Sequence, residues 1–210
     1  EGRPMLERLQ ERLHDAQNAL ISLRRVPLTA LFNRYPRMVR EMSQALGKEV
    51  LLRTEGGEIA LDRRVVDELS SLLMHLLRNA LDHALETPEE RIQAGKTRQG
   101  TVWLSAYPLD GKVRIEVRDD GRGIDPQRMR ERIAELGCLS AEEARHLSDE
   151  AAIDWIFEAG FSTRDAVSCF SGRGVGMDVV RSRIAELGGV VSVETVPGEG
   201  TAFMLDLEPQ

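Results

Sequence analysis

Apolar residues at the start of the chain recur with helical spacing. Six of them are separated alternately by three and four positions, the a/d pattern of a helix that packs along one seam: Leu6, Leu9, Leu13, Ala16, Leu20 and Leu23. Pro27 ends this pattern, and a second helical stretch is predicted to run to Leu46, with an interruption near Pro36 and a cap at Gly47. One helix cannot bury such a seam alone, so we expect it to pack on another helix, another subunit or the adjacent domain.

The strongest helical pattern runs from Asp62 to Glu86. Asp62 is suited to cap the N-terminus of this helix, and an apolar stripe follows it: Val65, Val66, Leu69, Leu72, Leu73, Leu76, Leu77, Ala80 and Leu81. Four polar residues recur on one side of the same helix: His75, Asn79, Asp82 and His83. Polar groups beside an apolar face are costly to bury without a partner. They form either a hydrogen-bonded pair in the core or a ligand site.

Segments in which apolar and polar residues alternate predict five strands: Glu49–Thr54, Thr101–Tyr107, Lys112–Asp119, Val190–Val196 and Thr201–Leu207. The second and third are joined by Asp110-Gly111, a strong hairpin signal, and further helices are predicted near 126–136, 148–158 and 175–187. Strands that pair through hairpins, with helices inserted between them, indicate an α+β two-layer sandwich rather than a parallel βαβ sheet.

Composition narrows the class of protein. The 210 residues, 41% of them hydrophobic, suffice for one large domain, or for one domain with a helical appendage. The formal charge of −7 argues against general binding to nucleic acid or anionic membranes. Cys138 and Cys169 lie far apart without metal-ligand spacing, which favours free thiols in a reducing cytoplasm. The sequence shows neither a membrane-spanning apolar run nor a signal peptide. It begins without Met, so we expect a piece of a longer intracellular protein.

Two glycine-rich segments are candidates for ligand binding. Asp119–Gly123 ends a predicted strand; its glycines allow a tight turn, and a carboxylate there could accept a hydrogen bond from an exocyclic amine, although an ordinary Asp-Gly turn fits as well. Gly172–Met177 alternates glycines before a helix, which exposes backbone N–H groups suited to phosphate. It matches neither a Walker loop nor a Rossmann fingerprint. A third segment, Gly198–Thr201, is the weakest and is predicted to be a turn near phosphate.

The order of these segments resembles the GHKL ATPase superfamily: an Asn-bearing helix, then Asp-x-Gly-x-Gly, Gly-x-Gly-x-Gly and Gly-x-Gly-Thr. Within it the chain closely resembles the catalytic domain of CheA-type chemotaxis histidine kinases, over roughly residues 5–208. The matching segments are Val26–Arg37, His75-x-x-Arg78-Asn79-x-x-Asp82-His83, Gly160–Thr163 and Ser171–Val180. The resemblance implies a two-layer sandwich of the GHKL (Bergerat) type, with a mixed, mostly antiparallel sheet covered by helices. Residues 1–26 would be the C-terminal helix of a dimerisation hairpin and 27–210 the ATP-binding domain.

The resemblance also implies a role for each matching residue. Asp119 would bind the adenine amine, with Gly123 behind the base, and Asn79 would bind a Mg²⁺ ion that bridges the phosphates of ATP. Gly121 and Thr201 would also belong to the nucleotide-binding residues. His75 would be the catalytic base. Phosphate contacts would come from Arg78, His83, Arg128, Arg132, Gly172, Arg173, Gly174, Val175, Gly176 and Met177. Asp82 is expected to orient Arg78 or His83 rather than to bind the metal, and Arg128 and Arg132 could equally form a solvated helix face.

The chain departs from the family at three positions. Ala84 replaces a glycine, with little expected effect, and Arg128 and Arg132 replace lysines, which keeps the charge and allows bidentate phosphate contacts. Neither the phosphoacceptor domain nor the domain that binds the coupling protein is present in this sequence. The expected partners are therefore the His-phosphotransfer domain of the same parent protein, a downstream response regulator and, through the missing domain, a coupling protein. A homodimer could form through the N-terminal helix.

The resemblance predicts a protein-histidine kinase that transfers the γ-phosphate of ATP to a histidine on a separate His-phosphotransfer domain. One alternative is a degenerate nucleotide-binding or scaffolding module of a signalling array. Another is a GHKL ATPase of the gyrase or MutL kind. Those enzymes use a glutamate to activate water, whereas this chain has His75 and no basic stripe for DNA.

Overall fold

The structure is a computed structural model that describes residues 24–159, 161 and 176–208. The predicted leucine-seam helix lies outside the described residues. The helices are α1 Thr29–Phe32, α2 Tyr35–Ala45, α3 Arg63–Asn79, α4 Pro88–Gln93, α5 Pro126–Glu135, α6 Ala141–His146, α7 Asp149–Asp154 and α8 Met177–Glu186. The strands are β1 Arg25–Pro27, β2 Val50–Glu55, β3 Ala60–Asp62, β4 Gly100–Leu109, β5 Lys112–Asp119, β6 Val190–Val196 and β7 Gly200–Leu207. Within these residues no helix has the length and apolar character needed to cross a membrane.

Five strands form a mixed sheet in the order β2-β4-β5-β7-β6. The pair β2 and β4 is parallel, and the other three pairs are antiparallel. The predicted hairpin between β4 and β5 turns at Asp110 and Gly111, both with positive φ (49° and 78°), as a two-residue hairpin turn of this hand requires. The α+β class and the mixed, mostly antiparallel sheet are thereby confirmed.

The core lies between this sheet and α3. Every second residue is buried from Gly100 to Ala106 of β4 and from Val113 to Asp119 of β5. Leu104 and Ile115, two of these residues, belong to one apolar cluster with Leu69, Leu73 and Leu77 of α3. Full burial of a leucine stabilises the fold by about 1.5–3 kcal/mol, so this stripe fixes α3 firmly against the sheet. The polar residues of the same helix are held at the edge of the core.

The predicted helix from Asp62 to Glu86 was wrong in its second part. Asp62 caps the helix as expected, since its side chain accepts a hydrogen bond from the Arg64 N–H at 2.8 Å. The α-helix ends at Asn79, however, and a π-helical turn occupies Ala80–Ala84 before Leu85 leaves in an extended conformation. The apolar spacing does not distinguish one π turn from an α-helical one, because both keep similar residues on the buried side.

The structure refines or adds three other elements. The helix predicted near 148–158 is present as α7, Asp149–Asp154, followed by a 3₁₀ turn, Trp155–Phe157. Helix α4, which begins at Pro88 with a reciprocal capping box between Thr87 and Glu90, was not predicted. The small antiparallel pair of β1 with β3, in which Val26 faces Leu61, was not predicted because three-residue strands carry almost no periodicity.

Candidate functional site

A cleft of about 850 Å³ opens where the end of α3, the loop after β5, helix α5 and the β6–β7 hairpin meet. Seven of the residues predicted from sequence line it: Asn79, His83, Asp119, Gly123, Arg128, Arg132 and Thr201. They come from three segments that are far apart in the chain. His75, Arg78, Asp82, Gly121, Gly176 and Met177 are not among the described residues that line the cleft, and Gly172, Arg173, Gly174 and Val175 lie outside the described residues.

His75 and Asn79 are joined one helical turn apart. The Asn79 side-chain Nδ2 lies 3.1 Å from Nε2 of His75 and 3.5 Å from Sδ of Met177, the first residue of α8. Burial lowers the pKa of His75 below 6.5, with further contributions from the positive charges of Arg78 and His83. A neutral ring that accepts at Nε2 carries its proton on Nδ1. The amide nitrogen of Asn79 is thus engaged, which leaves its carbonyl oxygen to face a ligand in the cleft.

The π-helical turn after Asn79 is held by a residue that sequence reasoning missed. Lys48 Nζ donates to the carbonyl oxygens of Leu81 and Asp82, at 2.5 and 3.0 Å. Burial lowers the pKa of Lys48, and the nearby charge of Arg122 lowers it further. Carbonyls at a helix end need donors from outside the helix, and this lysine supplies them from a neighbouring segment. The Lys48 ammonium group therefore holds in place the π-helical turn that carries His83.

Asp119 is the buried carboxylate of the site. Asp119 is 4% exposed, and the Gly121 N–H donates to its Oδ1 at 2.9 Å. Desolvation raises the pKa of Asp119 to about 6, although the backbone N–H groups of Gly121 and Thr201 act in the opposite direction. A buried acceptor at the wall of a cleft suits a ligand that brings an N–H group.

Glycine is required at two positions of the loop that follows. A Cβ at Gly121 would lie 2.3 Å from the carbonyl oxygen of Ala84. A Cβ at Gly123, where φ is +67°, would lie 2.3 Å from the carbonyl oxygen of Val196. The loop is therefore in direct backbone contact with the π-helical turn on one side and with β6 on the other. The sequence prediction that these glycines allow a tight turn is confirmed.

A buried ion cluster supports the same loop. Arg91, 2% exposed, bonds to Glu86 at 3.2 Å and to the carboxylate of Asp120 at 3.0 Å. Lys96 Nζ lies 2.8 Å from Glu86 and donates to the backbone oxygens of Asp120 and Gly121 at 3.0 and 2.6 Å. The ordinary sequence signals for a site did not identify this cluster, because its members are separated by polar turns. Its effect is to tie the loop beside Asp119 to α4.

Two arginines on α5 contribute positive charge to the cleft. The side chain of Arg128 is 85% exposed and lies 3.9 Å from Asp125, whereas that of Arg132 is less exposed and lies 3.4 Å from Glu135. The exposed pair of Arg128 with Asp125 is weak, about 0–1 kcal/mol, so a ligand anion could draw the Arg128 guanidinium away. Arg78, in the last turn of α3, is half-buried beside His75.

Comparison with protein families matches residues 65–210 to the model described as "Histidine kinase-, DNA gyrase B-, and HSP90-like ATPase". Chemotaxis protein CheA of Bacillus subtilis is 43% identical over 202 residues, which cover 96% of this chain and 30% of that protein. The gliding motility regulatory protein of Myxococcus xanthus is 46% identical over 184 residues, or 88% of this chain and 24% of the relative. The chain thus spans about a third or less of the length of these relatives.

Among solved structures, the catalytic domain of histidine kinase ThkA superposes with a TM-score of 0.54 at 18% identity. The match covers 88% of this chain and 94% of that one. At this identity the likeness concerns the fold alone. It supports the expected sandwich of helices on a mixed sheet.

Proposed function

The chain belongs to the histidine kinase-, DNA gyrase B- and HSP90-like ATPase family, and on this premise we propose that it is the ATP-binding catalytic domain of a CheA-like two-component histidine kinase. It would transfer the γ-phosphate of ATP to a histidine on a separate His-phosphotransfer domain. The observation that supports this best is the cleft itself. One cavity collects the Asn79 helix end, the buried Asp119 and Thr201, each of which was predicted from a separate segment.

In this proposal the base of ATP lies against Asp119. The adenine 6-amino group donates to the carboxylate of Asp119, which is almost fully buried. Gly123 lines the cleft, where the flat base would lie against its backbone, and Thr201 lies on the strand next to Asp119. The Asp119 carboxylate favours a base with an amino group at this position, because a base with an acceptor there would leave two buried acceptors facing each other.

A Mg²⁺ ion fits the proposed phosphate end. Among the described residues no group of three His, Cys, Asp or Glu side chains could hold a metal ion. Magnesium does not need such a cage, since it is commonly bound by one or two protein oxygens together with substrate phosphates and water. The carbonyl oxygen of Asn79 would be its protein ligand. The ion, when bound, neutralises charge on the triphosphate.

The remaining residues would act on the phosphates and on the incoming histidine. Arg78, His83, Arg128 and Arg132 would stabilise phosphate oxygens, together with the glycine-rich segment that begins at Gly172. His75 is the proposed base, which accepts the proton that the attacking imidazole loses. To do so it must exchange its hydrogen bond with Asn79 for one with the substrate. Positioning and charge stabilisation would account for the rest of the rate, as in phosphoryl transfer generally.

The wider context is proposed from the relatives. Partners would be the His-phosphotransfer domain, a downstream response regulator and a coupling protein bound through another domain of the parent protein. Residues 1–26 would supply one helix of a dimer interface. The cytoplasm is the proposed location, since the two cysteines lack the spacing of a disulfide framework.

The test is a titration with a fluorescent ATP analogue and magnesium, comparing wild type, Asp119→Asn and the control Asp67→Asn. Asp67→Asn is the same chemical change at an exposed position of α3 that does not line the cleft. Saturable binding that is lost only in Asp119→Asn supports the adenine pocket. Radiolabelled γ-phosphate that then appears on a separate His-phosphotransfer domain supports the kinase over an ATPase that releases phosphate. Absence of binding in wild type would instead favour a scaffolding module.

A further inference from the structure

One hydroxyl outside the cleft contacts three groups at its wall. Thr195 lies on β6 opposite Thr201 of β7. Its Oγ1 lies 2.8 Å from the backbone nitrogen of Ile124, 3.0 Å from the carbonyl oxygen of Gly200 and 3.0 Å from Oγ1 of Thr201. Thr201 and Ile124 both line the cleft, whereas Thr195 is not among its described lining residues.

The hydrogen-bonding capacity of a hydroxyl decides the direction of these contacts. A threonine hydroxyl has one hydrogen to donate and two lone pairs to accept with. The Ile124 N–H can only donate and therefore occupies one lone pair of Thr195, while the Gly200 carbonyl can only accept and therefore takes its hydrogen. The contact with Thr201 then uses the second lone pair, so Thr201 must be the donor. The hydrogen of Thr201 is directed at Thr195, and its lone pairs are what remain for a ligand.

Asp119 of β5 and Thr201 of β7 are directly opposite each other in the sheet, so their side chains are neighbours on the same face. The carboxylate of Asp119 accepts from the backbone N–H groups of Gly121 and Thr201, and it has no hydrogen to offer when ionised. The Thr201 hydroxyl, its hydrogen already committed, is the second acceptor. A purine with an amino group at position 6 presents two N–H hydrogens to such a pair. A purine with an oxygen at position 6 presents lone pairs there in place of those hydrogens, and the two acceptors reject that oxygen.

We propose that Thr195 is a positioning residue that fixes the Thr201 hydroxyl as an acceptor and thereby helps the site select 6-amino over 6-oxo purine nucleotides. The inference rests on the proposed function, since it concerns the base of the same nucleotide. Thr195 acts through Thr201 and through the loop at Ile124 without touching the base. Thr195 thereby determines that the Thr201 hydroxyl, the second polar group of the adenine pocket, acts as a hydrogen-bond acceptor.

The experiment measures dissociation constants for ATP and for inosine triphosphate, which differ at position 6 of the base. The variants are Thr195→Val, Thr195→Ser and, as a matched control, Thr54→Val on the exposed part of β2. Valine keeps the shape of threonine but frees the Thr201 hydroxyl to rotate and donate. We expect the preference for ATP to narrow by at least about tenfold in Thr195→Val and to be kept in the other two variants.

A purely structural role gives a different result. If Thr195→Val weakens both nucleotides equally, so that their ratio is unchanged, the hydroxyl only holds the loop and the inference is overturned. Equal binding of both nucleotides by wild type overturns it too, but leaves the proposed function intact. A wild type that binds neither nucleotide overturns the proposed function itself. Should Thr195→Val fail to fold, Thr195→Ala removes the same hydroxyl and gives the test: the same narrowing supports the inference, and an unchanged ratio contradicts it.

Discussion

The side-chain amide of Asn79 lies 3.1 Å from Nε2 of His75, one turn earlier on the same helix. The amide therefore points its nitrogen at the imidazole, and its carbonyl oxygen is left for the cleft. The same contact occupies the lone pair that a base at position 75 would use. His75 thus has two separable tasks, the orientation of Asn79 and the proposed acceptance of a proton.

Replacement of His75 separates these tasks. Glutamine at this position keeps an acceptor for the Asn79 amide but cannot act as a base near neutral pH. We expect His75→Gln to keep nucleotide affinity within about threefold and to lower the rate of phosphotransfer by about 10²–10⁴, the usual contribution of a general base. Single-turnover transfer to a His-phosphotransfer domain measures this rate. A wild-type rate in His75→Gln would leave only the orienting task.

The wild-type pH profile is a second check on His75. Burial lowers the pKa of His75 from its ordinary value of 6.5, which extends to lower pH the range in which the ring is neutral. We expect the transfer rate at saturating ATP to stay level as pH falls to about 6.5 and to decline only below it. A decline that begins well above this value would point to a different titrating group.

Asp119 makes affinity and stability respond to pH in opposite senses. Its pKa rises from 3.8 to about 6 on folding, which favours the protonated form by about 3 kcal/mol. That stabilisation is complete below pH 3.8 and is lost as pH rises through about 6. The ionised form, however, is the one that accepts from adenine. We expect ATP affinity to fall by up to about tenfold per pH unit below pH 6, measured by titration of the fluorescent analogue.

Substitution of Asp119 tests the same linkage. Asp119→Asn removes the buried charge but keeps an acceptor for one N–H, so we expect the free energy of unfolding at pH 7.5 to rise by about 1–2 kcal/mol while ATP binding is lost. Urea unfolding at pH 7.5 and pH 5 measures the change. The gain should shrink at pH 5, where the wild-type carboxyl is largely protonated. An equal gain at both values would contradict the assigned pKa.

The sequence predicted the sheet and the residues that meet at the cleft more accurately than it predicted the residues that hold those site residues in place. Leu104 and Ile115 alternate with polar neighbours because one face of each strand is buried, and this periodicity is visible locally. Asp119 and Asn79 were found from residue type and order. Lys48 was not, because its role depends on tertiary contact with carbonyls 33 and 34 positions later in the chain. A π turn and a buried ion cluster leave no periodic signal.

Lys48 should stabilise both the fold and the site. Lys48→Met keeps the length of the side chain but removes the donors to Leu81 and Asp82. We expect a loss of about 1–3 kcal/mol in the free energy of unfolding and weaker ATP binding, because the turn that carries His83 loses its cap. The control is Lys112→Met, because the Lys112 amine lies 3.4 Å from Glu208 in an exposed pair. Equal effects of the two changes would contradict a specific role for Lys48.

The buried cluster around Arg91 should contribute more to stability than a surface pair. Arg91→Met leaves Glu86 and Asp120 partly uncompensated, so we expect a loss of about 3–5 kcal/mol in the free energy of unfolding. Arg98→Met removes an arginine whose pair with Glu49 is about half exposed, and we expect about 0–1 kcal/mol there. Urea denaturation of both variants gives the comparison. Similar losses would show that burial does not determine the strength of the Arg91 contacts.

Asn79 carries the proposed dependence on magnesium. Asn79→Ala removes the carbonyl oxygen offered to the ion, and it also frees His75 and Met177 from their contact with the amide. We expect the increase in ATP affinity on addition of magnesium to disappear, while affinity without magnesium changes by less than about threefold, because Asp119 and the base pocket are untouched. Titrations of wild type and variant, each with magnesium and with a chelator, separate the magnesium-dependent part of the ATP affinity from the affinity without magnesium. An undiminished magnesium effect in Asn79→Ala would exclude Asn79 as the metal ligand. A loss of affinity that is equal in both conditions would mean that the amide acts on the shape of the cleft, through α8, rather than on the ion.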